Sequence, residues 1–192
     1  MHIYLVRHPP PIDVDGLCYG RLDVAVDEKD IARTAESIFD QIPRQTLAGA
    51  RIYCSPSPRC MGLARYIASP RQPTPAEDLI EMSFGRWQGI RWDAIARLEI
   101  DAWSDDLWGY RPGGGESAEM VAARWERWLH HVRRSESGNI VAVTHAGVIR
   151  VALARGGQGK GSSALETHIP FGSVHRLDLE ITLDHEMRTQ HE

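Results

Sequence analysis

Residues 139–144 are Asn139-Ile140-Val141-Ala142-Val143-Thr144, a nearly continuous apolar run. Such a run is typical of a central strand in a parallel sheet, because helices cover both faces of a strand in that position. His145 follows the run directly, and a helix is predicted from about Ala146 to Leu153. The stretch therefore predicts a buried strand, a histidine at its carboxyl end and a covering helix.

The same alternation of strand, loop and helix occurs near the amino terminus. Residues 2–7 predict a strand that ends at the pair Arg7-His8. The run Pro9-Pro10-Pro11 follows, and a loop is expected there because proline cannot donate hydrogen bonds to a sheet. Apolar residues at helical spacing over 27–41 then predict a covering helix.

A further strand is predicted over residues 51–54. Ser55 and Ser57 are plausible caps for the helix after it, which is expected to end at about Ala68. Strands that alternate with helices favour a mostly parallel sheet with helices on both faces. We therefore predict a doubly wound α/β fold.

The second half of the chain adds a helical lobe, a long helix and a last strand. All six tryptophans lie within residues 87–128, which predicts a small tryptophan-rich lobe over the sheet; its indoles either pack only the lobe or also line a substrate pocket. A glycine-rich loop is expected over 156–163 and a strand near 174–179. A helix is predicted over 116–134, with an apolar stripe formed by Met120, Val121, Ala123, Arg124, Trp125, Trp128, Leu129 and Val132.

The composition is that of an ordinary globular protein. A chain of 192 residues is expected to form one domain, residues 1–192. The net charge of −4 gives no broad electrostatic reason to expect nucleic acid or a membrane as a partner. The three cysteines, Cys18, Cys54 and Cys60, form no C-x-x-C pair, and no apolar stretch approaches the ~20 residues of a membrane span. These features favour a cytoplasmic protein.

Three basic segments are expected to meet at one edge of the sheet. Arg7-His8, the segment 55–59 with Arg59, and His145 each follow a predicted strand. In doubly wound sheets, ligands bind outside the carboxyl ends of the strands. We therefore expect these segments to form one site, although they are far apart in sequence.

These side chains suit the chemistry of a phosphate monoester. Arg7 and Arg59 offer planar, permanently charged forks to phosphate oxygens, and His145 adds a donor at a helix start. His8 can attack phosphorus through a neutral ring nitrogen if a backbone carbonyl holds the other nitrogen. Glu81 is the candidate general acid, a role that requires burial or the incoming dianion to raise its proton affinity.

Together these motifs resemble the histidine phosphatase superfamily, which includes the cofactor-dependent phosphoglycerate mutases. The resemblance covers nearly the whole chain. It implies a three-layer α/β fold, a phosphohistidine intermediate on His8, and no metal or other cofactor. It also implies an anion site at the helix start beginning with Ala146. The matching segments are Arg7-His8, Ser55-Pro56 with Arg59, Glu81 with Phe84-Gly85 and Trp87-Gln88-Gly89, and Thr144-His145-Ala146-Gly147.

A second resemblance concerns the substrate. Residues 18–23, Cys-Tyr-Gly-Arg-Leu-Asp, resemble a loop of bacterial α-ribazole phosphatase-like sequences. It implies a small phosphorylated metabolite as the partner, with α-ribazole 5'-phosphate as one candidate. Tyr19 and Gly20 then either border this substrate or only pack the loop.

One segment departs from the family pattern. The usual Arg-His-Gly-x-Ser or Arg-His-Gly-x-Thr is replaced by Arg7-His8 followed by Pro9-Pro10-Pro11, which removes an N–H group and a hydroxyl beside the nucleophile. A catalytically impaired phospho-ligand-binding module is therefore kept as an alternative. A phosphoglycerate mutase is a second alternative within the family that the chain resembles, although the region between Glu81 and His145 has little room for the insertions with which mutases enclose their ligands. A metal site on His8 and His145 lacks an obvious third ligand. The sequence does not separate a monomer from a homodimer.

Overall fold

The structure is a computed structural model that describes residues 1–156 and 164–179. Within these residues the chain forms a sheet with the strand order β3-β2-β4-β1-β5. The first four strands run parallel, and the edge strand β5 is antiparallel to β1. The strands are β1 (His2–Arg7), β2 (Arg51–Cys54), β3 (Thr74–Pro75), β4 (Ile140–Thr144) and β5 (Val174–Asp178).

Helices cover both faces of the sheet. The helices α1 and α3 pack on one face, and α5 and α6 pack on the other. This arrangement confirms the predicted three-layer, doubly wound α/β fold. The helices are α1 (Glu28–Gln41), α2 (Arg44–Gly49), α3 (Pro58–Ala68), α4 (Arg97–Asp105), α5 (Ala118–Ser135) and α6 (Ala146–Arg155), with short 3-10 turns at 77–79, 85–87, 92–94 and 112–114.

Strand β4 is central and fully buried, as its sequence predicts. Ile140 and Ala142 join the core under α5 and α6, whereas Val141 and Val143 join the core under α1 and α3. Successive side chains of a strand point to opposite faces, so one short apolar run serves both cores. Strand β4 pairs with β1 on one side and with β2 on the other.

Several predicted details of the helices were wrong. Ser57 lies at the amino-terminal cap of α3, but its side chain makes no capping hydrogen bond. Helix α5 begins at Ala118 rather than at residue 116, and the Ser117 hydroxyl caps it by accepting the Met120 N–H. Met120 and Ala123 of the predicted stripe are exposed, and Ala122 is buried in their place. Neither α2 nor the two-residue strand β3 was predicted.

The tryptophans divide between two regions. Trp87, Trp92 and Trp103 pack together beside Phe84 as an aromatic cluster next to α4. The other tryptophans do not join it: Trp125 and Trp128 belong to the core under α5, and Trp108 packs against that core. The lobe is therefore real but holds three of the six indoles.

From residue 157 onward, the predicted glycine-rich loop over 156–163 lies outside the described residues. In the part of the chain that is described, no helix is both long enough and apolar enough to cross a membrane.

Candidate active site

Three neighbouring strands bring the predicted histidines together. His8 follows β1 and donates its N–H to the Thr144 carbonyl at 3.1 Å, while Ser55 follows β2 and donates its N–H to the Val143 carbonyl at 2.9 Å. The His8 and His145 ring centroids lie 5.1 Å apart. Both rings are buried, so the ladder of the sheet fixes the two imidazoles side by side.

The His8 ring has a defined orientation. Its Nδ1 lies 2.7 Å from the Pro9 carbonyl oxygen, which can only accept a hydrogen bond, so Nδ1 carries the proton. Burial, with Arg59 and Arg7 nearby, holds the pKa of His8 well below its usual value despite the opposing effect of the Pro9 carbonyl. The ring is therefore neutral at physiological pH, and its unprotonated Nε2 is available as a nucleophile.

Arg59 is tied to the loop that carries the α-ribazole phosphatase resemblance. Its Nη1 and Nη2 donate to the carbonyls of Leu22 (2.8 Å) and Gly20 (2.6 Å). The guanidinium lies over the Tyr19 ring, 5.3 Å from its centroid, and burial raises the pKa of Tyr19 even though Arg7 opposes the shift. Tyr19 and Gly20 therefore contact the predicted phosphate-binding arginines, and Gly20 does so through its backbone.

Arg7 is held by the loop before β5. Its Nη1 donates to the Ile169 carbonyl, and its guanidinium stacks over Phe171, 3.6 Å from the ring centroid. The backbone N–H of Arg7 donates to Ser173, and its carbonyl accepts from Gly172. The contacts of the backbone and of the guanidinium together fix the direction of the Arg7 side chain.

Arg7 and Arg59 each have a buried Nε that makes no hydrogen bond. Among the described residues, the buried side-chain nitrogens and oxygens without a hydrogen-bond partner are Arg7 Nε, Arg59 Nε and Trp128 Nε1. Buried donors are normally paired, and an unpaired one is costly. Two of these three groups belong to the guanidiniums beside His8, where an anion would satisfy them.

His145 lies at the amino-terminal cap position of helix α6, directly after strand β4, as predicted. Its Nε2 lies 2.8 Å from the Ser55 hydroxyl and 3.5 Å from the Cys60 sulfur. Burial, followed by the charges of His8 and Arg59, holds the pKa of His145 well below its usual value. The ring is neutral in the free protein, and a bound dianion would favour its protonation. Ala146 is the first residue of α6, next to this ring.

Glu81 lies at the same helix start. Its Oε1 accepts the Met82 N–H at 2.8 Å, and its Oε2 accepts the Gly147 N–H at 3.4 Å. A Cβ atom at position 147 would come within 2.4 Å of Oε1, so glycine is what allows the carboxylate to lie against α6. The Gly147 amide is thereby directed at Glu81.

The proline run also has a defined role here. Pro9 supplies the backbone carbonyl that accepts from His8 Nδ1, as any residue at this position could, so the proline run does not disturb the orientation of the His8 ring. The sequence also missed residues that contact the site. Ser55 lies in a recognised segment but was assigned a capping role. Phe171 lies in a loop that carries no recognisable pattern, and Arg150 lies within the predicted helix α6, where nothing in the sequence marks it as a site residue.

The residues described contain no group of three or more His, Cys, Asp or Glu side chains that could hold a metal ion. Arg7, His8, Arg59, His145 and Glu81 do lie together, and a cluster of two guanidiniums, two imidazoles and one carboxyl group matches a tetrahedral anion with a leaving group.

Solved structures share this architecture. The α-ribazole phosphatase from Shigella flexneri aligns with a TM-score of 0.78 and 24% identity, covering 94% of this chain and 91% of that one. The phosphoserine phosphatase from Entamoeba histolytica, in complex with 3-phosphoglyceric acid, aligns with a TM-score of 0.77 and 19% identity, covering 91% and 89%. These likenesses define an α/β fold of the phosphoglycerate mutase type.

The sequence comparison is more specific. The profile of the histidine phosphatase superfamily (branch 1) matches residues 3–183. The chain therefore belongs to the histidine phosphatase superfamily and is an enzyme of its phosphatase class. It is also 28% identical to a metal-independent phosphoserine phosphatase from Arabidopsis thaliana in an alignment 193 residues long, which covers 95% of this chain and 79% of that protein.

Proposed function

We propose that the protein is a metal-independent phosphomonoesterase that hydrolyses a small phosphorylated metabolite through a phosphohistidine on His8. One observation carries the proposal. The buried Nε–H groups of Arg7 and Arg59 have no acceptor, and both guanidiniums lie close enough to His8 to lower its pKa. An anion bound to them would lie near the His8 ring, on which both guanidiniums act.

The first step forms the phosphoenzyme. Nε2 of His8 attacks phosphorus, the bond from phosphorus to the ester oxygen breaks, and Glu81 transfers its proton to the departing oxygen. Arg7, Arg59 and His145 balance the charge on the non-bridging oxygens throughout. In the second step water attacks phosphorus, Glu81 takes up a proton from the water, and the bond from phosphorus to Nε2 of His8 breaks, which frees the neutral imidazole and inorganic phosphate.

The candidate substrates differ in what surrounds the phosphate. α-Ribazole 5'-phosphate is supported by the loop of residues 18–23, whose Gly20 and Leu22 carbonyls hold Arg59. The likeness to the Shigella flexneri α-ribazole phosphatase agrees with this candidate at the level of the fold.

A second candidate is phosphoserine, whose carboxylate distinguishes it from the first. Arg150 of α6 donates its Nε to the Thr167 carbonyl at 2.8 Å. Burial lowers the pKa of Arg150, and the charges of Glu81 and Arg7 both act on it, so its guanidinium lies near the acid and the phosphate ligands. A carboxylate on the substrate would find a charged fork there. The Arabidopsis thaliana relative also favours this candidate.

The test begins with p-nitrophenyl phosphate in the presence of excess chelator. We expect hydrolysis by the wild type and a loss of at least about 10³-fold in kcat for His8→Ala. The control is His130→Ala, an exposed position on α5 that should retain full activity. Hydrolysis that survives His8→Ala would overturn the proposal, and tight phosphate binding without turnover would instead support the impaired binding module.

A substrate panel then resolves the finer question. We would compare kcat/KM for α-ribazole 5'-phosphate and phosphoserine, with Arg150→Gln as the variant that separates them. If the carboxylate binds Arg150, this variant should lose about 10-fold or more on phosphoserine relative to α-ribazole 5'-phosphate. A mutase would instead return labelled phosphate to a second phosphoglycerate faster than to water.

A further inference from the structure

The carboxylate of Glu116 is partly buried and accepts hydrogen bonds from several partners at once. Its oxygens accept from Arg21 Nη2 at 2.7 Å and from Arg124 Nε and Nη2 at 3.2 and 3.3 Å. One oxygen also accepts the backbone N–H of Ser83 at 3.0 Å. Burial disfavours its ionisation, but Arg124, the Ser83 N–H and Arg21 outweigh burial and hold the pKa of Glu116 below its usual value. Glu116 is therefore a fixed negative charge between two cations.

Arg21, Glu116 and Arg124 form hydrogen bonds to the backbone on both sides of Glu81, the proposed acid. Arg124 Nη1 donates to the Asp78 carbonyl at 2.7 Å, and Arg21 Nε donates to the Glu81 carbonyl at 2.8 Å. With the bond from Ser83 to Glu116, the backbone is held before Glu81, at it and after it. No regular strand or helix covers residues 80–84, so these side chains replace the ladder that a strand would supply.

The loop of residues 113–115, which precedes Glu116, also packs against this segment. The Glu116 N–H donates to the Ser83 carbonyl at 2.8 Å. A Cβ atom at position 115 would come within 2.0 Å of that carbonyl oxygen, and one at position 113 would come within 2.2 Å of the Phe84 carbonyl oxygen. The glycines at these positions therefore permit direct backbone contact with the segment.

Arg21 joins this cluster to the phosphate ligands. The residues on either side of it, Gly20 and Leu22, give their carbonyls to Arg59. A shift of Arg21 would therefore change the position of Glu81 relative to Arg59, which is the distance that matters for protonating an ester oxygen on a bound phosphate.

We propose that Glu116, held by Arg21 and Arg124, is a positioning residue that keeps Glu81 in place for proton transfer to the leaving group. The inference rests on the proposed function, in which Glu81 is the general acid. Glu116 itself contacts neither the substrate nor the reacting atoms; it acts through the backbone of residues 78–83.

The experiment exploits leaving groups of different basicity. p-Nitrophenolate departs with little help from an acid, whereas the alkoxide of benzyl phosphate requires a proton. We would measure kcat/KM for both substrates, because this constant reports the transfer of phosphate to the enzyme. Glu116→Gln should lose about 10- to 100-fold more on benzyl phosphate than on p-nitrophenyl phosphate. The matched control Glu119→Gln, at an exposed position on α5, should leave kcat/KM for each substrate at its wild-type value.

A double-mutant cycle gives the decisive reading. Introduced into Glu81→Gln, the Glu116→Gln substitution should change the ratio between the two substrates by less than about twofold, because the group it positions is already absent. Equal losses on both substrates, or a full additional loss in the Glu81→Gln background, would overturn the inference. If Glu81→Gln itself shows no dependence on the leaving group, the acid in the proposed function is wrong instead.

Folding is checked separately by thermal unfolding of each variant. Should Glu116→Gln not fold, Arg21→Gln provides the same test. It breaks the bonds to Glu116 and to the Glu81 carbonyl, whereas the hydrogen bonds of Arg59 to this loop use the backbone carbonyls of residues 20 and 22 and not the Arg21 side chain. The same dependence on the leaving group is expected, and its absence in a folded variant would contradict the inference.

Discussion

The phosphate cup, defined here as Arg7, His8, Arg59 and His145, and the acid segment, residues 78–83, are held in place by different means. In the cup, His8 and His145 follow adjacent parallel strands, and backbone hydrogen bonds of the sheet fix their spacing. The acid segment lacks such a ladder and depends on Arg21, Glu116 and Arg124. The spacing of the two imidazoles should therefore resist changes outside the sheet, whereas the acid segment should be displaced by changes at residues that do not contact the substrate.

The largest expected effect breaks the cup. Arg59→Ala removes one of two guanidiniums and should lower kcat/KM by about 10²- to 10³-fold. The loss should be the same for aryl and alkyl phosphates, because charge on the phosphate oxygens does not depend on the leaving group. Steady-state kinetics with p-nitrophenyl and benzyl phosphate measure it. Arg65→Ala, on an exposed position of the same helix, is the control; a loss below tenfold for Arg59→Ala would count against a phosphate role.

A smaller effect is expected where the glycine loop meets the acid segment. Gly115→Ala adds a Cβ atom within 2.0 Å of the Ser83 carbonyl oxygen and 2.6 Å of the Gly85 nitrogen, so the backbone must move. We expect a loss of about 1–3 kcal/mol in the free energy of unfolding, measured by urea denaturation.

The matched control is Gly49→Ala at the end of α2, where nothing lies within 4 Å of the added atom. This variant should be unchanged or slightly more stable. If the two alanine variants have equal stability, residues 113–115 do not constrain the acid segment.

The pH dependence of stability tests the burial of the two imidazoles of the cup. His8 and His145 have pKa values well below 6.5 in the folded protein, and about 6.5 is expected when the chain is unfolded. The unfolded state therefore binds more protons below pH 6.5, so stability should fall as pH falls through this value. Each histidine contributes up to about 1.4 kcal/mol per pH unit in the free energy of unfolding.

Urea denaturation between pH 5 and 7.5, in buffers without phosphate, measures this slope. His8→Gln should lower the slope by up to about 1.4 kcal/mol per pH unit, which corresponds to one proton. His130→Gln, at an exposed position, should leave the slope unchanged. A stability that is flat between pH 5 and 6.5 would mean that the two imidazoles are not buried in neutral form.

The sequence predicted most of the cup and little of what supports the acid segment. Strand periodicity located β1, β2 and β4, and the parallel arrangement then placed His8, Ser55 and His145 at one edge. No comparable rule links Arg21, Glu116 and Arg124 to residues 78–83, because these contacts form between loops and a helix up to 95 positions apart. The capping role given to Ser55 was wrong for a related reason: its hydroxyl lies against His145, a partner 90 positions away.

The central claim is that phosphate is carried by His8, and the phosphoenzyme itself tests this most directly. The wild type would be mixed with p-nitrophenyl phosphate, quenched rapidly in denaturant at alkaline pH, digested and examined by mass spectrometry. The account predicts one phosphoryl group on the peptide that contains His8, labile to acid and absent from His8→Ala. A phosphoryl group on another residue, or rapid turnover with no phosphoenzyme at any quench time, would contradict it.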